Sequence, residues 1–185
     1  GGGTQSRIVV PFDISAENQR SILCEAVDFV GMYSDPDYRK EQQFEIASLL
    51  LDAGADPGTK GGPAYAKPAL RIAAQNNWPE MIALLVKAGA EMKRADAIAM
   101  MDDCIKNDRP EALQALLEAG GPANARNSQG YTLIEEAMRV YSEPMGRMLL
   151  EHGANPLLKD EYGLDAYDTV RNDPELKDLL NQYRK

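Results

Sequence analysis

The residues of this chain that could do chemistry are carboxylates. Asp102, Glu135 and Asp168 recur 33 residues apart, and each has a second acid close by: Asp103, Glu136 and Asp165. Paired acids are the equipment of glycoside hydrolysis, where one protonates a leaving group while the other acts as base or nucleophile. That chemistry needs an apolar pocket to raise one of the two pKa values. The sequence supplies neither such a pocket nor a sugar-stacking platform beside the acids. The single histidine, His152, cannot anchor a His-based metal cluster, and no stretch resembles a calcium loop. A glycine-rich phosphate loop is also missing from the sequence. The sequence therefore predicts a protein that is not an enzyme, with no cofactor and no metal.

The elements that must position these acids repeat. Leu-Leu-Leu-Asp-Ala-Gly-Ala-Asp-Pro at 49–57 returns as Leu84 to Met92, as Leu116 to Pro122 and as Leu149 to Pro156. The glycines of these endings, Gly54, Gly89, Gly120 and Gly153, fall 35, 31 and 33 residues apart. A glycine just past an apolar helical run supplies the left-handed residue that ends a helix. Between the glycines lie pairs of short amphipathic segments. They are Leu70–Gln75 with Glu80–Lys87, Met100–Lys106 with Glu111–Glu118, and Thr132–Val140 with Met145–Glu151. Ala166–Arg171 with Glu175–Gln182 closes the chain. Upstream, a helix is expected from about Ser15 through Phe29, then a polar insertion at 31–43 broken by Gly31 and Pro36, then a helix over Phe44–Leu51.

Residues 124–134, Asn-Ala-Arg-Asn-Ser-Gln-Gly-Tyr-Thr-Leu-Ile, are a polar turn opening into a helix. Asp160-Glu-Tyr-Gly163 repeats the turn, and Pro68-Ala-Leu-Arg-Ile-Ala-Ala74 repeats the helix opening. In these stretches and in the phased glycine endings the chain resembles the ankyrin-repeat family. The resemblance implies an all-α solenoid of stacked antiparallel helix pairs with protruding turns. Residues 1–15 are expected to be an extended arm or a cloning remnant. A single domain over 16–185 comes next, with repeats near 16–57, 58–92, 93–125, 126–158 and 159–185. The connection Ala90–Ile98 lacks the usual Asp-x-x-Gly turn, and Cys104 and Ile105 stand where the family has two alanines.

Stacking such repeats about 10 Å apart would align Asp102, Glu135 and Asp168 in a column headed by Arg71, which could neutralise Asp102. The family commonly has His at this position. Two readings of the column stay open: a solvated helix face, or a docking strip for Lys and Arg of a partner. Repeats lie too far apart for the column to share one metal ion. The resemblance also implies partner contacts through the turn tips and the ends of the first helices. Here those are Tyr65, Tyr131 and Tyr162 at turns, with Arg94, Asp96 and Gln129, and Gln75, Lys106 and Arg139 on helices. Cys24 and Cys104, two repeats apart, are too distant for a disulfide. Trp78, at a break between helices, is expected to pack locally.

With 20 basic and 29 acidic residues, the 185-residue chain carries a net charge of -9. That charge disfavours nucleic acid and favours a basic protein partner. No apolar run is long enough to span a bilayer. The opening Gly-Gly-Gly-Thr-Gln-Ser has no methionine and reads as an expression remnant, or as a linker behind a removed signal or lipid-attachment cysteine. The compartment stays open, cytoplasmic or exported. The sequence thus predicts a protein-interaction module, monomeric on its own, whose concave face takes a partner. The alternatives are a bacterial immunity or inhibitor protein that blocks a toxin or lipase, and a structural scaffold subunit.

Overall fold

The computed structural model describes residues 16–28, 36–58 and 67–183. The expected N-terminal arm, the Ser15 cap, Tyr65 and the first part of the insertion lie outside the described residues. Ten helices form within them: α1 (Ala16–Val27), α2 (Pro36–Asp52), α3 (Ala69–Gln75), α4 (Pro79–Lys87), α5 (Arg94–Lys106), α6 (Pro110–Glu118), α7 (Leu133–Arg139), α8 (Glu143–Glu151), α9 (Ala166–Thr169) and α10 (Pro174–Gln182). The fold is all-α, as the sequence predicts.

Consecutive helices pair, α1 with α2 through to α9 with α10, and the pairs stack. First helices α1, α3, α5, α7 and α9 touch in series and form one layer; α4, α6, α8 and α10 form the second. Each pair is too small to bury its own apolar face, so the core is a seam running the length of the stack. Leu85, Leu117 and Leu150 sit in that seam, and Ala73, Ala74 and Ala137 let the first helices approach. Cys104 and Ile105 are fully buried in the positions of two alanines, and Trp78 is buried in the same core. Burial pushes the Cys104 thiol up to about 12, which makes it an inert core residue. Neither Cys24 nor Cys104 is in a disulfide among the described residues.

Local chemistry sets the helix ends. Gly54, Gly89, Gly120 and Gly153 all take positive φ, between 84° and 98°. At Gly153 the amide donates to the Leu150 carbonyl at 3.0 Å and the Ala154 amide to Leu149 at 2.9 Å, which satisfies carbonyls the helix leaves open. Proline opens the second helices: Pro36, Pro79, Pro110 and Pro174 stand first and Pro144 second. A proline there gives up an amide that has no helical partner, and its fixed φ is already helical.

Two expectations are corrected. Residues 36–43 are the first half of α2 and not a polar break, because Pro36 sits at the helix start and the Lys, Glu and Gln residues after it are good helix formers. Residues 94–99 are helical as well, so α5 runs for 13 residues from Arg94. Arg94 and Asp96 therefore lie in the first turn of a helix and not at a turn tip. Without an Asp-x-x-Gly sequence nothing there folds a turn, and Ala95, Ala97 and Ala99 favour helix.

Candidate partner-binding surface

Repeats 4 and 5 each project a finger built by one side chain. The Asn127 Oδ1 accepts from the amides of Gln129 at 3.0 Å and Tyr131 at 3.1 Å. The Asp160 carboxylate accepts from Tyr162 and Leu164, both at 2.8 Å. A short polar side chain that bonds amides two and four residues on folds the backbone back on itself. Gly130 and Gly163 supply the positive φ at each tip.

The fingers brace one another. The Glu161 amide donates to the Gly130 carbonyl at 3.1 Å, and the Tyr162 hydroxyl donates to the Gln129 carbonyl at 3.0 Å. The Tyr131 and Tyr162 rings lie 5.5 Å apart at a 43° tilt. The Arg139 guanidinium sits 4.2 Å above the Tyr131 ring, a cation–π contact. Tyr162 is nevertheless 63% exposed.

Repeat 3 has the extended α5 where a finger would stand, and this leaves a hollow of about 470 Å³ on the same face. Arg71 from α3, Ala95, Ile98 and Asp102 from α5, and Arg126 and Asn127 from the next finger line it. Asp102 accepts from the Lys106 ammonium at 2.8 Å and from the Asn127 amide at 2.8 Å. Lys106 also donates to the Gln129 side chain at 2.7 Å and lies 3.9 Å from Glu136. Glu136, buried at 6% exposure, has Arg139 at 3.8 Å on its other side. Arg71 makes no ion pair among the described residues. Gln75, further along α3, accepts from Lys67 at 3.0 Å.

This geometry corrects the picture of an open acidic column. Asp102 is neutralised by Lys106, not by Arg71. Asp103 lines the same hollow but is paired with Arg109 at 2.7 Å. Glu135 is neither solvated nor able to dock a partner, because it is only 2% exposed. Its Oε2 accepts from the Thr132 amide at 2.8 Å while the Thr132 hydroxyl oxygen accepts from the Glu135 amide at 3.3 Å, the reciprocal bonds of a capping box at the start of α7, and the same hydroxyl donates to Oε2 at 2.6 Å. Burial pushes the Glu135 carboxyl above the usual carboxylate range, opposed by the Thr132 hydrogen bonds. Asp165 and Asp168 form the same box at α9. Lys159 lies 2.6 Å from Asp165 and 3.8 Å from Asp168, and Arg171 pairs with Asp168 at 2.8 Å. The Arg171 hydrogen bond is the first cause holding the Asp168 carboxyl below its ordinary value.

The structure thus brings together Asp102, Lys106, Tyr131, Glu136, Arg139 and Tyr162. It leaves Asp103 at the hollow in an ion pair with Arg109 and commits Glu135, Asp165 and Asp168 to helix caps. Sequence reasoning misses Asn127 as a member of this surface, although an Asn three residues before a turn glycine marks it as the finger's organiser. It misses Ile98 because it misses the α5 extension itself.

No protein-family model matches the chain. It is 30% identical over 167 residues to an ankyrin repeat-containing protein of Treponema pallidum, covering 88% of this chain and 53% of that protein. It is 29% identical to human Ankyrin repeat and SOCS box protein 6 over 74% of this chain and 37% of that one. To the ankyrin repeat protein YahD of Escherichia coli it is 26% identical over 70% of this chain and 68% of YahD. The chain therefore spans about half or less of the length of the first two. Helix pairs, capping glycines and fingers share one phase, and these relatives align across most of it; the chain belongs to the ankyrin-repeat family.

Proposed function

We propose that this chain is a non-enzymatic protein-interaction module that takes a partner along the concave face, over the hollow at α5 and the fingers of repeats 4 and 5. The observation that carries this reading is the Tyr131–Tyr162 pair, held rigid by Arg139 and the Gln129 carbonyl with Tyr162 63% exposed. A large amphipathic side chain already fixed in place loses little entropy on binding, which is why tyrosines concentrate binding energy at interfaces. The ankyrin-repeat relatives support the same class of function.

The charge of -9 steers basic partners from a distance. At contact, Asp102 and Glu136 are already engaged by Lys106 and Arg139, so a basic residue of the partner enters by exchange with those cations. The non-enzymatic reading draws support from the capping and pairing work that occupies the acids. The test is capture from a lysate of the native host on the immobilised chain, comparing wild type with Tyr162→Ala and Lys106→Glu and quantifying by mass spectrometry. A specific partner should be retained by wild type and depleted at least about tenfold by either variant. Equal retention by all three chains sinks the concave-face reading.

A further inference from the structure

A second surface lies on the opposite layer, where α4, α6 and α8 form an open groove of about 820 Å³. Its floor is apolar, with Ala83 and Val86 from α4, Ala115 and Ala119 from α6 and its end, and Pro144 and Met148 from α8. Ala83 is exposed, and Val86, Ala119 and Met148 are half-buried. Glu80, Glu111 and Glu118 also line the groove, against one lining cation, Lys87. On the concave face Asp102, Glu136, Asp165 and Asp168 all have a Lys or Arg partner, whereas these three glutamates make no ion pair among the described residues. Glu111 accepts instead from the Asn77 amide, which with its own backbone bond and the more distant Lys40 charge holds its carboxyl below the ordinary value. Glu118 accepts from Gln114.

We infer that this groove is a second docking site, for a basic amphipathic helix of another protein. The apolar floor takes a stripe at i, i+3, i+4 and i+7, and Lys or Arg flanking that stripe meets the three glutamates. Three neighbouring helices roughly 10 Å apart give a groove about 20 Å long, the length of about 13 helical residues. A second copy of this chain fits poorly, because a two-fold interface would bring the unpaired glutamates of both copies together. The groove and the concave face lie on opposite layers, so both sites can be filled at once and the chain can bridge two proteins.

The probes are three synthetic peptides of about 18 residues: a Leu/Lys sequence with one apolar face, the same composition scrambled to destroy the face, and a Leu/Glu counterpart. Binding is followed with ¹³C-methyl methionine spectra, in which Met148 reports the groove. The Leu/Lys helix should shift the Met148 methyl saturably, and the other two peptides should bind at least about tenfold more weakly. Ala83→Arg and Gln114→Arg, both on the groove surface, should abolish the shift without changing circular dichroism. Tyr162→Ala, on the other face, should leave it intact. Equal binding of the scrambled peptide, or binding unaffected by both arginine variants, overturns the proposal. So does concentration-dependent dimerisation in sedimentation that Ala83→Arg abolishes, which assigns the groove to a second copy. The Tyr162→Ala control separates failure here from failure of the concave-face reading.

Discussion

Replacing Thr132 by alanine tests the capping role assigned to Glu135. Thr132 is fully buried, and its hydroxyl is the N-cap of α7. That hydroxyl accepts from the Glu135 amide at 3.3 Å and donates to the Glu135 carboxylate at 2.6 Å. Losing an N-cap costs about 0.5–2 kcal/mol, and losing a hydrogen bond to a charged group costs about 1.5–3 kcal/mol. One hydroxyl supplies both and the Thr132 amide still serves the carboxylate, so the two losses overlap and about 2–4 kcal/mol is expected in all. Thr132→Ser keeps the hydroxyl and removes one buried methyl, for about 1 kcal/mol. Urea unfolding with linear extrapolation measures both differences. For a chain of this size each kcal/mol moves Tm by about 2–4 °C, so alanine should lower Tm by roughly 5–15 °C and serine by only a few degrees. A Thr132→Ala protein within about 0.5 kcal/mol of wild type would refute the capping-box account of Glu135.

The other predictions concern pH, packing and strain. In the fold Glu135 binds its proton more tightly than the ordinary value of 4.5 implies, so the native state holds more protons than the unfolded chain between that value and its raised one. Stability through this group therefore falls as pH rises across the window. Glu135→Gln keeps an oxygen for Thr132 and should flatten that slope in a pH series of urea melts. Leu113→Ala, at a fully buried position of α6, should cost about 2–5 kcal/mol by leaving a cavity in the middle of the stack, again read by urea unfolding. Tyr141 is 76% exposed at φ 55°, a left-handed position that Asn77 and Asp108 fill in the two preceding repeats. Asparagine tolerates that conformation better than a bulky side chain, so Tyr141→Asn should raise stability by about 1 kcal/mol. An unchanged or lowered melting temperature contradicts it.

The repeat phase and the all-α class are legible in the chain because short-range chemistry controls them. Glycine at a helix end, the leucine pairs before it, and Asn127 or Asp160 ahead of a turn glycine each act within a few residues. The second-helix prolines belong with them, although Pro36 looks like a break in the sequence and opens a helix in the fold. A proline that starts a helix and one that ends it are told apart only by the residues on their C-terminal side.

The fate of the charges was settled by contacts between segments, which no local pattern encodes. Glu135 and Asp168, 33 residues apart, both stand at the N3 position of a capping box, yet whether an acid of this series faces solvent, a cap or a cation depends on groups contributed from elsewhere. Lys106 is held by Gln129 from the next finger, and Arg139 by the Tyr131 ring across the start of its own helix. Asp168 is flanked by Lys159 from the turn before it. The groove between α4, α6 and α8 likewise exists only because three helices from three repeats lie side by side. Its residues are spread from Pro79 to Met148, and stacking alone brings them together.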